Sequence, residues 1–164
     1  MRIIAAIGGN ALLRRGEALE IETQRRNLAK AAVSIAALAE AHELVVTHGN
    51  GPQVGLLALQ SEALDEVAPY PLDVLDAESE GLIGYLIERE LRRHLPGREI
   101  AALLTQVRVD PDDPAFETPS KPIGPIYDAS EIEALVRARG WAFRPDGRGY
   151  RRVVPSPEPK AILE

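Results

Sequence analysis

Two short apolar runs, each ending in a glycine-rich turn that opens a helix, constrain this chain more than any other feature. Arg2 to Ile7 leads into Gly8-Gly9-Asn10, and Leu44 to Thr47 leads into His48-Gly49-Asn50-Gly51. Runs this short and apolar read as buried strands of the kind found in parallel sheets. Between them, from about Glu17 to Glu40, Ile21, Leu28, Ala31, Ile35 and Leu38 share one helical face, with Arg25, Arg26 and Lys30 elsewhere. Pro52 fits the first position of a helix, where its missing N–H costs nothing, and that helix runs to about Leu64. A third helix is predicted from Asp76 to about Leu95, stopped by Pro96-Gly97, and Ile100 to Val107 reads as a third apolar strand. This alternation predicts an α/β fold over residues 1–107: a three-layer αβα sandwich around a mostly parallel sheet.

At 164 residues, 45% of them hydrophobic and 27% charged, the chain is about one domain long and can bury a core of Ala, Val, Ile and Leu. Such a composition excludes disordered, collagen-like and disulfide-scaffold chains. Zero cysteines remove disulfides, thiolate metal sites and cysteine nucleophiles. No apolar run nears the ~20 residues of a bilayer span, and the N-terminal one is too short for a signal peptide, so a cytoplasmic protein with no membrane partner is expected. A net charge of −6 argues against a nucleic-acid partner, and 4% aromatics are too few for a base-stacking platform. Sixteen arginines stand against three lysines, so chemistry needing a mobile ammonium has only Lys30, Lys121 and Lys160 to draw on.

After Val109 the texture changes. Asp110 to Pro125 holds five prolines and three aspartates and predicts an ordered but irregular excursion. Ser130 is a candidate cap for a short helix over Glu131 to Arg139, ended by Gly140. Trp141 to Phe143 and Arg151 to Val154 flank Asp146-Gly147-Arg148-Gly149, a hairpin signal. Residues 108–156 therefore read as a small α+β subdomain. Residues 157–164 carry the prolines and early acid of a helix start, a start without a body that suggests a truncated gene product.

Both glycine turns sit where a strand hands over to a helix, at the carboxyl edge where α/β proteins place their ligands. Missing side chains admit a small anion to the backbone N–H groups, and a helix N-terminus favours negative charge. Asn10 and Asn50 tolerate left-handed backbone and can donate from their amides. Two such turns favour an anion site over plain tight turns. The run from Gly49 to Gly55 is one residue off the dinucleotide fingerprint, but no acid ends a strand ~20 residues on, and no Walker-type sequence occurs. Asp110, Asp112 and Asp113 alternate with prolines and read as turn chemistry, so no metal site is expected. His48 reads as fixing its turn by hydrogen bonds, and Arg151 and Arg152 as pairing with surface acids. The charged helix from Leu86 to Leu95 is a solvated face or a dimer rim.

Five segments, Ala-Ile-Gly-Gly-Asn-Ala-Leu-Leu, Thr-His-Gly-Asn-Gly-Pro-Gln-Val-Gly, Asp-Pro-Asp-Asp-Pro-Ala-Phe, Lys-Pro-Ile-Gly-Pro and Tyr-Arg-Arg-Val-Val-Pro-Ser-Pro, resemble the carbamate kinases of the amino acid kinase superfamily, in that family's order. The resemblance implies the superfamily's fold, with residues 108–156 as the protruding subdomain that sets carbamate kinases apart. It implies reversible phosphoryl transfer between ATP and carbamate, giving carbamoyl phosphate and ADP, in arginine and carbamoyl phosphate metabolism. By motif match, Gly8, Gly9, Asn10, Gly49, Asn50 and Gly51 would cradle carbamate and the transferring phosphoryl group. Lys121 matches the lysine that the subdomain brings to the substrate. Superfamily relatives usually carry a lysine two residues before the first glycine; Ala6 stands there in this chain.

Family members run to roughly twice this length, and their second half supplies the site for ATP or ADP with Mg2+. The resemblance therefore implies an N-terminal, carbamate-binding half that ends, at Glu164, where a helix would lead into the nucleotide half. The expected partners are carbamate or carbamoyl phosphate, a second copy in a homodimer, and a chain supplying the nucleotide site. An inactive fragment, or a standalone small-anion-binding domain, is the alternative.

Overall fold

The computed structural model describes residues 1–14, 16–64 and 66–163, with Asn10 described by its backbone alone. The chain is a mixed α/β protein that divides into two compact units. One comprises Met1–Asn50 and Asp76–Leu103, the other Gly51–Leu75 and Leu104–Glu164.

The first unit opens with β1 (Arg2–Ile7), α1 (Ile21–Ala41) and β2 (Glu43–His48). β1 and β2 pair in parallel, in a continuous register from Arg2 beside Glu43 to Ile7 beside His48. After β2 the chain forms α2 (Gly51–Ser61), in the second unit, and α3 (Leu72–His94), which belongs to the first unit from Asp76 onward. The core of the first unit joins Ile7 and Leu12 to Leu28, Ala32, Ile35 and Ala39 of α1 and to Ile83, Ile87 and Leu91 of α3. Those helical positions recur every three or four residues, which puts them on one face, and each fully buried Leu or Ile contributes about 2 kcal/mol. The opposite face of the strand pair is not covered within this unit: Ile4 is 71% and its cross-strand neighbour Val45 46% exposed. Burial on both faces, expected from the apolar runs, is therefore corrected to burial on one.

The expected third parallel strand, Ile100 to Val107, is also corrected. Residues 100–105 form no strand, and Leu103 and Leu104 are largely exposed. Apolar character makes a segment strand-competent, but only a neighbouring strand satisfies its backbone groups. In the second unit, β3 (Gln106–Val109) finds that neighbour in the C-terminal strand and pairs with it antiparallel. The described strands thus form one parallel pair and two antiparallel sheets, not one mostly parallel sheet.

The excursion after Val109 is more regular than expected. A 3₁₀ turn (Pro114–Phe116) is capped by Asp113, which accepts from Ala115 N–H, and β4 (Lys121–Tyr127) follows. α4 (Ala129–Arg139) begins at Asp128 rather than Ser130; the Asp128 N–H donates to Glu131 Oε2 at 2.8 Å, and Gly140 ends the helix with φ 66°. The hairpin is as expected: β5 (Ala142–Asp146) and β6 (Gly149–Val154) turn at Gly147, and the sheet order is β4-β6-β5.

The helix start expected over residues 157–164 is instead a strand, β7 (Pro159–Leu163). A proline is tolerated as the first residue of a strand, and pairing with β3 outweighs the local helix signals. Glu164 lies outside the described residues. Asp113 also anchors this segment, its Oδ2 accepting from Glu158 N–H at 2.9 Å. The Ala115 and Glu158 amides hold the Asp113 carboxyl below the usual carboxylate range. A depressed folded value contributes stability that is fully present above the unfolded value of about 3.9 and is lost as pH falls below it through the folded value. Amide exchange in β3 and β7 is accordingly expected to stay slow down to about pH 4 and to accelerate only below it. In Asp113→Asn, the acceleration will no longer depend on pH in that window.

α2 packs on β4 in the second unit, with Val54, Ala58, Leu75 and Ile123 as its buried core. Trp141 lies edge-on to Tyr127, and the Arg152 guanidinium sits 4.0 Å from the Trp141 ring centre. Glu62, just past α2, takes ion pairs from both Arg139 and Arg152. No helix among the described residues is long and apolar enough to cross a membrane.

Candidate functional site

Ile7 lies beside His48 in the parallel ladder, so Gly8 and Gly49 leave the same end of the strand pair. That end is the carboxyl end of both strands, where a parallel arrangement exposes backbone donors. Gly8 is extended (φ −72°, ψ 161°) and starts a 3₁₀ turn over Gly9–Ala11. The turn closes on itself through Ala11 N–H to Gly8 C=O (2.9 Å) and Leu13 N–H to Gly9 C=O (2.8 Å).

The glycines here are not explained by their backbone. None of Gly8, Gly9, Gly49 and Gly51 has positive φ, unlike Gly16, Gly97, Gly124, Gly140 and Gly147. Nor does packing demand them: a Cβ at Gly8, Gly9 or Gly49 meets nothing within 4 Å, and one at Gly51 makes an ordinary 3.7 Å contact with the Pro122 carbonyl. What the missing side chains leave is open space beside the backbone. None of the backbone turn and cap bonds is donated by the Gly8, Gly9 or Asn50 N–H, and Gly49 directly follows the last ladder pair, Ile7 beside His48. Neither Asn10 nor Asn50 is left-handed, so the tolerance expected of them is unused.

Asn50 is held from α3. Its Nδ2 donates to Asp76 Oδ1 at 2.5 Å and to Ser79 Oγ at 2.7 Å, and Ser79 Oγ donates to the Asp76 carbonyl at 2.8 Å. Ser79 is fully buried. The side-chain donors expected to reach a ligand from Asn50 are therefore engaged within the protein. Asp76 and Ser79 went unseen in the sequence; their i, i+3 spacing, which puts both on one side of a helix, is the one local signal for them. The first turn has its own support: Asn27 donates to the Leu12 carbonyl at 3.3 Å and to Glu17 Oε2 at 2.5 Å. The Arg14 amide, then Asn27, hold the Glu17 carboxyl below its usual range. The Asn10 side chain lies outside what the structure describes.

Gly51 and Lys121 belong to the second unit, where the carbonyl that Gly51 faces is that of Pro122, the residue after Lys121. Lys121 is exposed and begins β4, opposite Val154. His48 Nδ1 is buried without a hydrogen-bond partner among the described residues, so the turn-fixing bond expected of it is not seen at that nitrogen. Arg151 pairs with Asp146 at 2.8 Å, the surface pairing expected, whereas Arg152 pairs at 3.6 Å with Glu62, whose side chain is only 13% exposed, so its partner is not the surface acid expected. Asp110 accepts from the Asp112 N–H at 3.0 Å, the turn chemistry expected of that cluster. Among the described residues, no group of three or more His, Cys, Asp or Glu side chains could hold a metal ion.

No family model matches the chain. Individual relatives do. The carbamate kinase of Rhizobium meliloti is 54% identical over the whole of this chain and 51% of its own length. That of Haemophilus influenzae is 55% identical over the whole chain and 53% of its length. Carbamate kinase from Giardia lamblia bound to citric acid superposes with a TM-score of 0.90 at 40% identity, over 99% of this chain and 55% of that one. The chain spans about half the length of the curated relatives it matches. From end to end, this chain is thus a homologue of the carbamate kinases, and it is their N-terminal half that it fits.

Proposed function

We propose that this chain forms the carbamate- and phosphoryl-binding part of a carbamate kinase, which transfers a phosphoryl group reversibly between ATP and carbamate. The observation carrying this reading is the pair of turns leaving one end of β1 and β2, with open space where side chains would stand at Gly8, Gly9 and Gly49. Carbamate is a small planar anion, and the transferred phosphoryl spreads charge over several oxygens, so catalysis is mainly positioning and aimed donors. Each aimed donor is worth about 3 kcal/mol in the transition state where it acts like an oxyanion-hole group. Gly8, Gly9, Asn10, Gly49, Asn50 and Gly51 supply the cradle, chiefly through backbone N–H groups.

Lys121 supplies a compact positive charge toward phosphoryl oxygens. ATP or ADP, with its Mg2+, is assigned to the part of the relatives that this chain does not match. The described residues offer no group of three or more His, Cys, Asp or Glu side chains for a metal. The partner implied is a chain bearing that nucleotide part, or a second copy arranged as a homodimer.

The test is ATP formation from ADP and carbamoyl phosphate by this chain joined to the second half of a relative. Turnover is expected, and none at all, from a folded assembly, contradicts the reading. In that assembly Lys121→Ala is expected to lower kcat by about 100-fold, the scale of losing one aimed charge. An unchanged rate removes Lys121 from the mechanism.

A further inference from the structure

We infer that Glu62 is a positioning residue for Lys121: pinned by Arg139 and Arg152, it fixes the tilt of α2 on β4 and so keeps Lys121 in place beside the first residue of that helix. The inference rests on the function proposed above and concerns how Gly51 and Lys121 are held together within the second unit.

The near end of α2 lies against the start of β4. Gly51, its first residue, faces the Pro122 carbonyl, 3.7 Å from the Cβ position, and Gly55, one turn on, meets Gly124 backbone to backbone. Lys121 directly precedes Pro122. By the two-residue period of a strand it shares a face with Ile123, which packs with Val54 and Ala58 of α2. Lys121 therefore starts on the α2 side of the sheet, next to a helix N-terminus, where an anion is favoured by the helix dipole as well as by the ammonium.

The far end of α2 is fixed by charge. The Glu62 N–H donates to the Ala58 carbonyl at 3.1 Å, so Glu62 continues the last helical turn. A carboxylate at that end faces the negative pole of the helix and is unfavourable by itself. Its side chain is nevertheless only 13% exposed, and it takes Arg139, the last residue of α4, and Arg152 of β6 at 3.6 Å. Arg152 lies beside Ile123 in the β4–β6 ladder, and its guanidinium stacks 4.0 Å from the Trp141 ring centre. A stacked planar guanidinium holds one geometry where an ammonium would swing. Buried ion pairs add little net stability over apolar packing, so what this one contributes is a fixed arrangement. At about 1.5 Å per residue, Gly51 stands ~6 Å to one side of the Gly55 contact and Glu62 ~10 Å to the other. Releasing Glu62 by ~2 Å thus shifts the Gly51 end by about 1 Å against Lys121, a misplacement large enough to matter at a site that works by alignment.

The experiment is a double-mutant cycle, read by calorimetric titration of the full chain with carbamoyl phosphate. Lys121→Ala and Glu62→Gln are each expected to weaken binding about tenfold, and together still about tenfold, not the roughly 100-fold of independent sites. With Lys121 gone, Glu62 has nothing left to place. Arg139→Ala, which leaves Arg152 on Glu62, is expected to give a smaller loss that also vanishes in the Lys121→Ala background. Losses that multiply, as general loosening of the fold would give, overturn the inference. So does wild-type affinity in Glu62→Gln or in Lys121→Ala, and each of these results leaves the glycine cradle standing. Should Glu62→Gln not fold, the cycle with Arg139→Ala decides. A wild-type chain that binds no carbamoyl phosphate is instead the failure of the proposed function, and the inference falls with it.

Discussion

Alanine at position 55 is expected to destabilise the chain by about 3 kcal/mol or more, roughly 10 °C in thermal midpoint. Gly55 in α2 faces Gly124 in β4 backbone to backbone, and a Cβ there would overlap the Gly124 Cα and N, with the Ile123 carbonyl carbon 3.1 Å away. These are backbone atoms, which cannot swing aside as a side-chain tip would. Gly124 has φ 71° and lies where the β4–β6 register shifts, between Ile123 and Ile126, so α2 meets the strand at its irregularity. The added methyl must push α2 off β4 and open the Val54–Ala58–Leu75–Ile123 cluster. Differential scanning calorimetry checks this. A midpoint within 2 °C of wild type would mean that the two backbones are not in contact.

Gly9→Ala is expected to do the reverse, leaving the fold alone and removing the ligand. The φ of Gly9 is not positive, its Cβ direction is empty to 4 Å, and alanine is the better helical residue. The thermal midpoint should stay within a few degrees of wild type or rise. The methyl group would occupy the space beside the Gly9 backbone, so affinity for carbamoyl phosphate should fall by about 100-fold. Gly49→Ala should behave likewise. If affinity is unchanged, the glycines serve some purpose other than ligand access.

The local parts of this fold were legible in the sequence because local chemistry decides them. The strands before the two turns, the helices between them and the hairpin at Gly147 follow from periodicity, proline, glycine and caps. Pairing was not legible, because it is settled far along the chain. Ile100 to Val107 has the composition of a buried strand, yet only its last residues pair, and they pair with residues 159–163. Those residues in turn carry helix-start signals that a distant strand overrides. Ser130 reads as the cap, but Asp128 also precedes a glutamate by three residues, and it is the Asp128–Glu131 pair that closes the capping box in the structure. At the site, the glycines and asparagines stood out as turn residues, and the register of β1 and β2 brings their turns to one end. The support beneath them did not stand out: Asp76 and Ser79 are ordinary helical residues until β2 delivers Asn50 to them.

Whether both turns hold one anion is decided by an amide NMR titration of the 15N-labelled chain with carbamoyl phosphate. The N–H resonances of Gly8, Gly9, Gly49 and Asn50 are expected to move together along a single binding curve, because both turns hold one anion. Movement of one turn without the other, or two separate midpoints, would contradict it.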